Sequence, residues 1–399
     1  MTSGSAIADN ESVSCLNAPQ MKGFVLFPLL LVGLLQNAAP ASAQVKKSSP
    51  SSATRKTAPG PRRTVRKALP AVDPTEGDNV DGDDLTVRRS AVAALGSMNG
   101  SVVVVDPTNG RILTMVNQKL GLTGGFIPCS TIKLVTSLAA LTEHVVSRDT
   151  SIYTSRYVSY NLSTAIAHSN NQYFSILGTR LGFERVMHYA QMLGLGEKAG
   201  LEVPGEQPGV VPEEPPKAGG MGLMTAFGEG FRMTPLELAA LLSSIANGGT
   251  LYYLQYPRTE SEIGQFSAKV KRTLELAPNG ISDIKEGMRG AVDYGTAKRA
   301  GYDPNEPILG KTGTCTDFRV SSHMGWFGSF NDVGYHQLVV VVMLTAANKS
   351  VNGGVAAGVA GAIYHNLSEQ RYFTADAADV KKLGLPEVLT TYPCCRQIQ

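Results

Sequence analysis

Residues 128–141 read PCSTIKLVTSLAAL, and this stretch holds the first of three motifs that together indicate the fold and chemistry of the chain. Apolar residues recur at helical spacing after Pro128, which predicts a helix. Since residues three apart share a helix face, the Lys133 amine is expected beside the Ser130 hydroxyl. A serine becomes a good nucleophile when a base takes its proton, and lysine can be that base when burial lowers its pKa. The stretch therefore predicts a nucleophile and its base on one helix.

This spacing alone is not specific, because Ser282-Asp283-Ile284-Lys285 repeats it where the serine resembles an ordinary helix cap. A second motif, Ser169-Asn170-Asn171, lies in a break between two predicted helical stretches, where side chains can point into a cleft. There a hydroxyl can relay a proton and an amide can hold a substrate amide. The same Ser-x-Asn pattern also begins elsewhere in the chain, at Ser97, Ser159 and Ser329 among other positions.

The third motif, Lys311-Thr312-Gly313-Thr314, occurs once and precedes a predicted strand over residues 324–330. Gly313 would let a substrate backbone lie flat against a strand edge. Lys311, with the hydroxyls of Thr312 and Thr314, would form a receptor for a carboxylate. The backbone N–H groups of Thr314 and Ser130 could together form an oxyanion hole.

Together, in this order, the three motifs resemble the penicillin-binding transpeptidase domain of the penicillin-recognising serine DD-peptidase and β-lactamase superfamily. The resemblance runs from about Leu85 to Leu367. It includes these accompanying segments: 105–113, 194–196, 203–206, 228–230, 233–239, 245–249, 295–297 and 326–327. It implies an α+β, β-lactamase/transpeptidase-like fold, with an antiparallel sheet flanked by helices and a second all-helical lobe. The sequence pattern is compatible with this, since strands are predicted at 101–105, 111–116 and 337–344 and a helix at 85–95.

The resemblance also implies roles for the motif residues. Ser130 would attack the carbonyl of a peptide ending in D-Ala-D-Ala, or of a β-lactam, while Lys133 accepts its proton. Ser169 would relay that proton to the leaving amine, Asn171 would hold the acyl side-chain amide, and residues 311–314 would bind the terminal carboxylate. The acyl-enzyme would pass to an amine in a transpeptidase, or to water in a carboxypeptidase or endopeptidase. No metal or cofactor is implied.

One alternative is a serine β-lactamase with the same acylation site, which needs a base for fast attack by water. Glu206 and Glu229 are candidates for that base by residue type alone. The expected partners are peptidoglycan stem peptides and β-lactams, and cell-wall synthesis proteins could recruit the enzyme. A formal charge of +3 is too small for a dedicated nucleic-acid binder, and the oligomeric state is not indicated.

Two of the five cysteines flank the motifs, Cys129 before the nucleophile and Cys315 after Thr314. If helix start and strand are neighbours, as the resemblance implies, these side chains would lie within disulfide reach, and an exported compartment permits the bond. Two buried free thiols are the alternative.

The N-terminal region predicts export. Thirteen apolar residues at 23–35 follow Lys22 and precede Ala41-Ser42-Ala43, which indicates a signal peptide over 1–43, with Met21 as a possible true start. An uncleaved membrane anchor is the alternative. Residues 44–84, basic and then acidic, are expected to be a disordered linker. A domain over 85–370 and a tail over 371–399 complete the organisation. The protein is thus expected in the periplasm or cell envelope, soluble after cleavage or anchored in the inner membrane.

Overall fold

The computed structural model describes residues 73–332 and 336–373. Its main element is a five-stranded antiparallel sheet with the order β2-β1-β9-β8-β7, accompanied by two two-stranded sheets, β3-β4 and β5-β6. The strands are β1 Gly100–Asp106, β2 Arg111–Val116, β3 Ile152–Tyr153, β4 Ser159–Tyr160, β5 Thr250–Tyr252, β6 Val270–Thr273, β7 Ile308–Asp317, β8 Ser322–Asn331 and β9 Val339–Ala346.

Helices cover both faces of this sheet, which gives the predicted α+β fold. The helices are α1 Leu85–Leu95, α2 Gln118–Gly121, α3 Lys133–Thr142, α4 Leu162–Ala167, α5 Asn171–Leu181, α6 Phe183–Met192, α7 Gly220–Phe227, α8 Pro235–Ala246, α9 Glu260–Gly264, α10 Gly280–Asp293 and α11 Gly353–Glu369. Short 3-10 turns lie at Cys129–Ile132 and Lys298–Ala300. None of the helices in the described ranges is long and apolar enough to cross a membrane.

The valine-rich strands β1 and β9 form the middle of the sheet. They pair in register from Gly100 opposite Leu344 to Val105 opposite Val339, so an early and a late part of the chain close the sheet together. Both strands are buried on both faces over most of their length, which explains why their sequences are nearly continuous runs of apolar residues. The strands predicted near 101–105, 111–116 and 337–344 are confirmed with small shifts in their ends.

Residues 73–84, the acidic half of the predicted linker, are part of the fold. Asp78 and Asp83 form ion pairs of 2.8 and 2.9 Å with Arg88 of α1, and all three side chains are buried. Asp78 also accepts backbone hydrogen bonds from Asn117 and Gln118. The prediction of disorder is therefore wrong for residues 73–84. Their acidic side chains pair with a buried arginine, and the composition of the segment does not indicate this pairing.

The C-terminal boundary also shifts, since Tyr372 is buried and donates a hydrogen bond of 2.9 Å to Asp84, the residue that caps α1. The predicted end of the domain at residue 370 is thus too early. The proposed signal peptide, the basic part of the linker and residues 374–399 lie outside the described residues.

Candidate active site

The first motif forms a tight turn that leads into α3. Ser130 lies in the 3-10 turn Cys129–Ile132, and Lys133 is the first residue of α3, with no exposed surface. Cys129, directly before the serine, has φ +52°, in the left-handed region that costs energy for residues other than glycine. The Lys133 Nζ lies 3.0 Å from Ser130 Oγ. The turn therefore brings together the nucleophile and base expected from their spacing.

The second motif lies between α4 and α5, in the break predicted from the sequence. Asn170 caps α5 by accepting from the backbone N–H of Tyr173, and Ser169 has φ +53°. The Lys133 Nζ lies 3.0 Å from Ser169 Oγ, 2.7 Å from the Ser169 carbonyl oxygen and 2.6 Å from Asn171 Oδ1. Because Asn171 uses its oxygen for Lys133, its amide nitrogen is left to donate to a ligand.

The third motif lies inside β7, and the strand predicted after it over residues 324–330 is part of β8. Strand β7 is an edge strand and pairs with β8 from Ile308 opposite Asn331 to Asp317 opposite Ser322. The Lys311 Nζ lies 2.8 Å from Ser169 Oγ, so one hydroxyl contacts both lysine amines.

Gly313 allows β7 to lie close to the turn that carries Ser130. A Cβ atom at this position would lie 3.0 Å from the Pro128 carbonyl oxygen, 3.1 Å from Cβ of Trp326 and 3.3 Å from Cβ of Cys129. These distances are at or below ordinary van der Waals contact, so a side chain here would push the strand and the turn apart.

The two lysines are held in an environment that disfavours their charged forms. Burial, and secondarily the nearby Lys311 ammonium, lower the pKa of Lys133 to about 6. Burial lowers the pKa of Lys311 to about 7. The ring centroid of Phe174 lies 5.4 Å from the Lys133 Nζ and contributes to its apolar surroundings. At neutral pH Lys133 is therefore mainly a free amine, the form that can accept a proton.

A cleft of about 380 Å³ opens over these groups and brings in residues that the sequence did not single out. Its lining comprises Ser130, Ser169, Asn171, Phe227, Thr296, Thr312, Thr314, Asn352 and Gly354. Thr312 Oγ1 lies 2.6 Å from Thr296 Oγ1, and Thr314 Oγ1 accepts a hydrogen bond of 2.8 Å from the backbone N–H of Gly353. Thr296 lies within a segment that resembles the family, but nothing in the sequence assigned it a role. No sequence motif indicated that Phe227 and Asn352 would line the cleft, because it is the folding of the chain that brings their distant segments to it.

Cys129 and Cys315 are joined by a disulfide in the structure, with their Cα atoms 5.6 Å apart. The bond connects the turn before Ser130 to the residue after Thr314 on β7. It thus links covalently the two segments that carry the backbone N–H groups considered for an oxyanion hole.

The other sequence candidates lie elsewhere. Glu206 is buried and accepts backbone hydrogen bonds of 2.8 and 3.0 Å from Ala199 and Gly200, so it holds a loop, and burial raises its pKa. Neither Glu206 nor Glu229 is among the described residues that line the cleft. In the second Ser-x-x-Lys match, the Lys285 Nζ donates to Asp332 and Ser282 to a backbone carbonyl, which is a structural arrangement.

The fold, with the three motifs brought together around one cleft, is that of the penicillin-binding transpeptidase class. The family model of the penicillin binding protein transpeptidase domain matches residues 100–365, about two thirds of the chain, and the chain belongs to this family. The fold and family expected from the sequence are thereby confirmed.

Individual relatives agree with this assignment. The chain is 28% identical to stage V sporulation protein D of Bacillus subtilis over 312 residues, covering 65% of this chain and 48% of that protein. It is 25% identical to the peptidoglycan D,D-transpeptidase FtsI of Escherichia coli K12 over 329 residues, covering 72% and 54%. The chain thus spans about half the length of the curated relatives it matches.

Solved structures show the same fold. Pseudomonas aeruginosa PBP2, in complex with WCK 5153, aligns with a TM-score of 0.62 at 22% identity, over 75% of this chain and 81% of that one. The transpeptidase domain of penicillin-binding protein 3 from Burkholderia pseudomallei aligns with a TM-score of 0.61 at 20% identity, over 72% and 94%.

Proposed function

We propose that this protein is an exported serine D,D-transpeptidase that acts on peptidoglycan stem peptides through an acyl-enzyme on Ser130. The observation that carries the proposal is the placement of Ser169 Oγ, 3.0 Å from the Lys133 Nζ and 2.8 Å from the Lys311 Nζ, while Lys133 also contacts Ser130. Several relatives are named peptidoglycan D,D-transpeptidases, which supports the same reaction class.

In the acylation step, the neutral Lys133 amine takes the proton of Ser130 as its Oγ attacks the carbonyl of the penultimate D-alanine. The low pKa of Lys133 supports this role, because a base must be unprotonated to act. The developing oxyanion would accept hydrogen bonds from the backbone N–H groups of Ser130 and Thr314. Preorganised donors of this kind lower a barrier by about 3 kcal/mol each.

The proton must then reach the amine of the departing D-alanine. Ser169 bridges the two lysine amines, so it can accept a proton from Lys133 and pass its own to the leaving nitrogen. Lys311 stabilises the hydroxyl during this exchange. The acceptor amine of a second stem peptide then attacks, and the same groups work in the reverse direction.

Substrate recognition would use the open edge of β7, since an extended peptide can add to an exposed strand through main-chain hydrogen bonds. Lys311, Thr312 and Thr314 would bind the terminal carboxylate, whereas the side-chain position of Gly313 faces the turn at Cys129 and Trp326, so its expected role in accommodating the substrate is replaced by one in packing. Asn171 would donate to the acyl side-chain amide. A β-lactam would occupy the same positions and acylate Ser130.

Attack by water would make the protein a carboxypeptidase or endopeptidase, and fast attack on a penicilloyl group would make it a β-lactamase. A β-lactamase needs a base that activates water, and the two candidates for it by residue type, Glu206 and Glu229, do not line the described cleft. Glu206 is instead occupied by backbone donors. These positions favour slow hydrolysis and transfer to an amine.

The test is a time course with a fluorescent penicillin on the purified protein. The wild type should form a stable covalent label, and Ser130→Ala should form none. Ser282→Ala is a matched control, because it alters the other Ser-x-x-Lys sequence and should leave labelling intact. A label that clears within about a minute, with ring-opened product accumulating, would instead show a β-lactamase. No label on the wild type would contradict the proposed site.

A second assay separates transfer from hydrolysis. Stem pentapeptides incubated with the protein and an amine acceptor should give an acceptor adduct and free D-alanine by mass spectrometry. Free D-alanine without the adduct would identify a carboxypeptidase.

We propose further that residues 1–43 direct export and are removed. Sequencing the N-terminus of the protein isolated from the cell envelope should give Gln44 as its first residue. A longer chain that sediments with membranes would show the uncleaved anchor instead. Cell-wall synthesis proteins are the proposed partners in that compartment.

A further inference from the structure

The corner that follows α10 is held tightly against the loop that carries Ser169. The backbone N–H of Thr296 donates a hydrogen bond of 3.1 Å to the carbonyl oxygen of Ala167, the last residue of α4. A Cβ atom on Gly295 would clash with that same oxygen, so the two backbones are in direct contact at this point. The position of Thr296 is therefore fixed relative to the second motif.

The side chain of Thr296 reaches the third motif. Its Oγ1 lies 2.6 Å from Oγ1 of Thr312, and both residues line the cleft. Thr312 is almost fully buried, and a Cβ atom on Gly353 would lie 2.7 Å from the Thr312 Cβ, so the Thr312 side chain is closely packed on that side. The hydroxyl pair thus forms a bridge between the second and third motifs, at the wall where the substrate would end.

A hydroxyl group can donate one hydrogen bond and accept two. If Thr296 donates to Thr312, the Thr312 proton is no longer needed for that contact and can be donated into the cleft. A carboxylate only accepts hydrogen bonds, and a bond to an ionised acceptor is about twice as strong as one between neutral groups. The direction of one hydrogen bond within the pair would therefore favour a ligand that carries a negative charge.

We propose that Thr296 is a positioning residue that turns the Thr312 hydroxyl proton toward the cleft and so makes the site prefer substrates that end in a carboxylate. The inference rests on the proposed D,D-transpeptidase function and adds a determinant of its specificity. Thr296 acts through Thr312 and needs no contact with the reacting carbonyl.

The experiment compares two acyl-D-alanyl thiolesters that are identical except for their end, a free carboxylate in one and a primary carboxamide in the other. Values of kcat and KM for both are measured on the wild type, Thr296→Val and Thr296→Ser. The valine variant removes the hydroxyl at nearly constant shape, and the serine variant keeps it. Thr179→Val, at an exposed position of α5, is the control for the same change away from the cleft.

Thr296→Val should lower the ratio of kcat/KM for the carboxylate substrate to that for the carboxamide about three- to tenfold, the effect of losing the neutral hydrogen bond that orients the Thr312 hydroxyl. The loss should lie in KM of the carboxylate substrate, with kcat changed less than about twofold. Thr296→Ser should restore the preference, and Thr179→Val should retain it.

Three results would overturn the inference. Equal losses on both substrates would show a structural role, an unchanged ratio would show no role, and a serine variant as impaired as the valine variant would assign the effect to the methyl group. If the valine variant melts far below the wild type, Thr296→Ala removes the same hydroxyl with less bulk and carries the same expectation. A wild type that neither hydrolyses the thiolesters nor takes a penicillin label would refute the proposed function itself, and the inference with it.

Discussion

Replacing Lys311 by glutamine should raise the pKa of Lys133 and move the pH dependence of acylation. The Nζ atoms of the two lysines both contact Ser169 Oγ, at 3.0 and 2.8 Å, so they lie no more than about 5.8 Å apart, the sum of those distances. At an effective dielectric constant of about 20, two positive charges at this separation repel by about 3 kcal/mol, equivalent to about two pKa units. Water in the open cleft reduces this, and we expect a shift of about one to two units.

The measured quantity is the second-order rate constant for labelling by a fluorescent penicillin, which reports ionisations of the free enzyme. Because the proposed role of Lys133 requires the free amine, the wild-type rate should rise with pH and reach half its maximum near 6, the pKa of Lys133, before it falls above about 7 as Lys311 loses the charge that binds the carboxylate. In Lys311→Gln the same limb should lie near pH 7 to 8, about one to two units higher. The maximum rate will also fall, because the carboxylate receptor is weakened. The pH at which the rate reaches half of its maximum does not depend on that loss.

Lys311→Arg is the matched control, since it keeps the positive charge and should keep the limb near its wild-type position. The reasoning is refuted if the glutamine variant titrates with the wild type, or if the arginine variant shifts as far as the glutamine variant. The first result would assign the low pKa of Lys133 to burial alone, and the second would assign the shift to altered packing.

Three further predictions concern the framework of the site. Reducing the Cys129–Cys315 bond, which closes a loop with a sequence separation of 186, should lower the free energy of unfolding in urea by about 5 kcal/mol on the chain-entropy estimate, and a change below about 1 kcal/mol would contradict this. Gly313→Ala should destabilise the fold by about 1–3 kcal/mol and slow penicillin labelling about tenfold, because the added methyl group would separate β7 from the turn that carries Ser130. Unchanged labelling would show that this separation does not affect the reaction. Asp78→Ala should lower the free energy of unfolding in the same urea assay by about 3 kcal/mol, since it removes an ion pair and two hydrogen bonds from backbone N–H groups. Asp81→Ala, at an exposed position, is the control and should change this free energy by less than about 0.5 kcal/mol.

Much of the site could be predicted because its chemistry resides in short motifs with local geometry. The contact between Lys133 and Ser130 follows from helical spacing, and the loop position of Ser169 follows from the break between two helical stretches. The family resemblance supplied the order of the motifs and, with it, the proximity of Cys129 to Cys315. These inferences needed no knowledge of distant packing.

The remaining features depend on contacts that sequence patterns do not encode. Residues 311–314 contain a glycine and no apolar alternation, so their sequence does not predict a strand. Hydrogen-bonded pairing with β8 nevertheless makes them part of one. The acids at 73–84 resemble a solvated tether until Arg88 is placed among them. The Thr296–Thr312 contact depends on how α10 ends against α4, which no local signal reports.

The bond between Cys129 and Cys315 has a topological consequence for the molecule. It closes a covalent ring that contains Ser130, Lys133, Ser169 and residues 311–314, while β1, β2, β8 and β9 lie on the two arms outside it. A single peptide-bond cut in any loop of the ring would leave every group of the site in one connected molecule. Such a nicked protein would migrate as an intact species on a non-reducing gel and separate into two fragments only after reduction. The ring therefore allows the backbone around the site to be opened without releasing any part of the site.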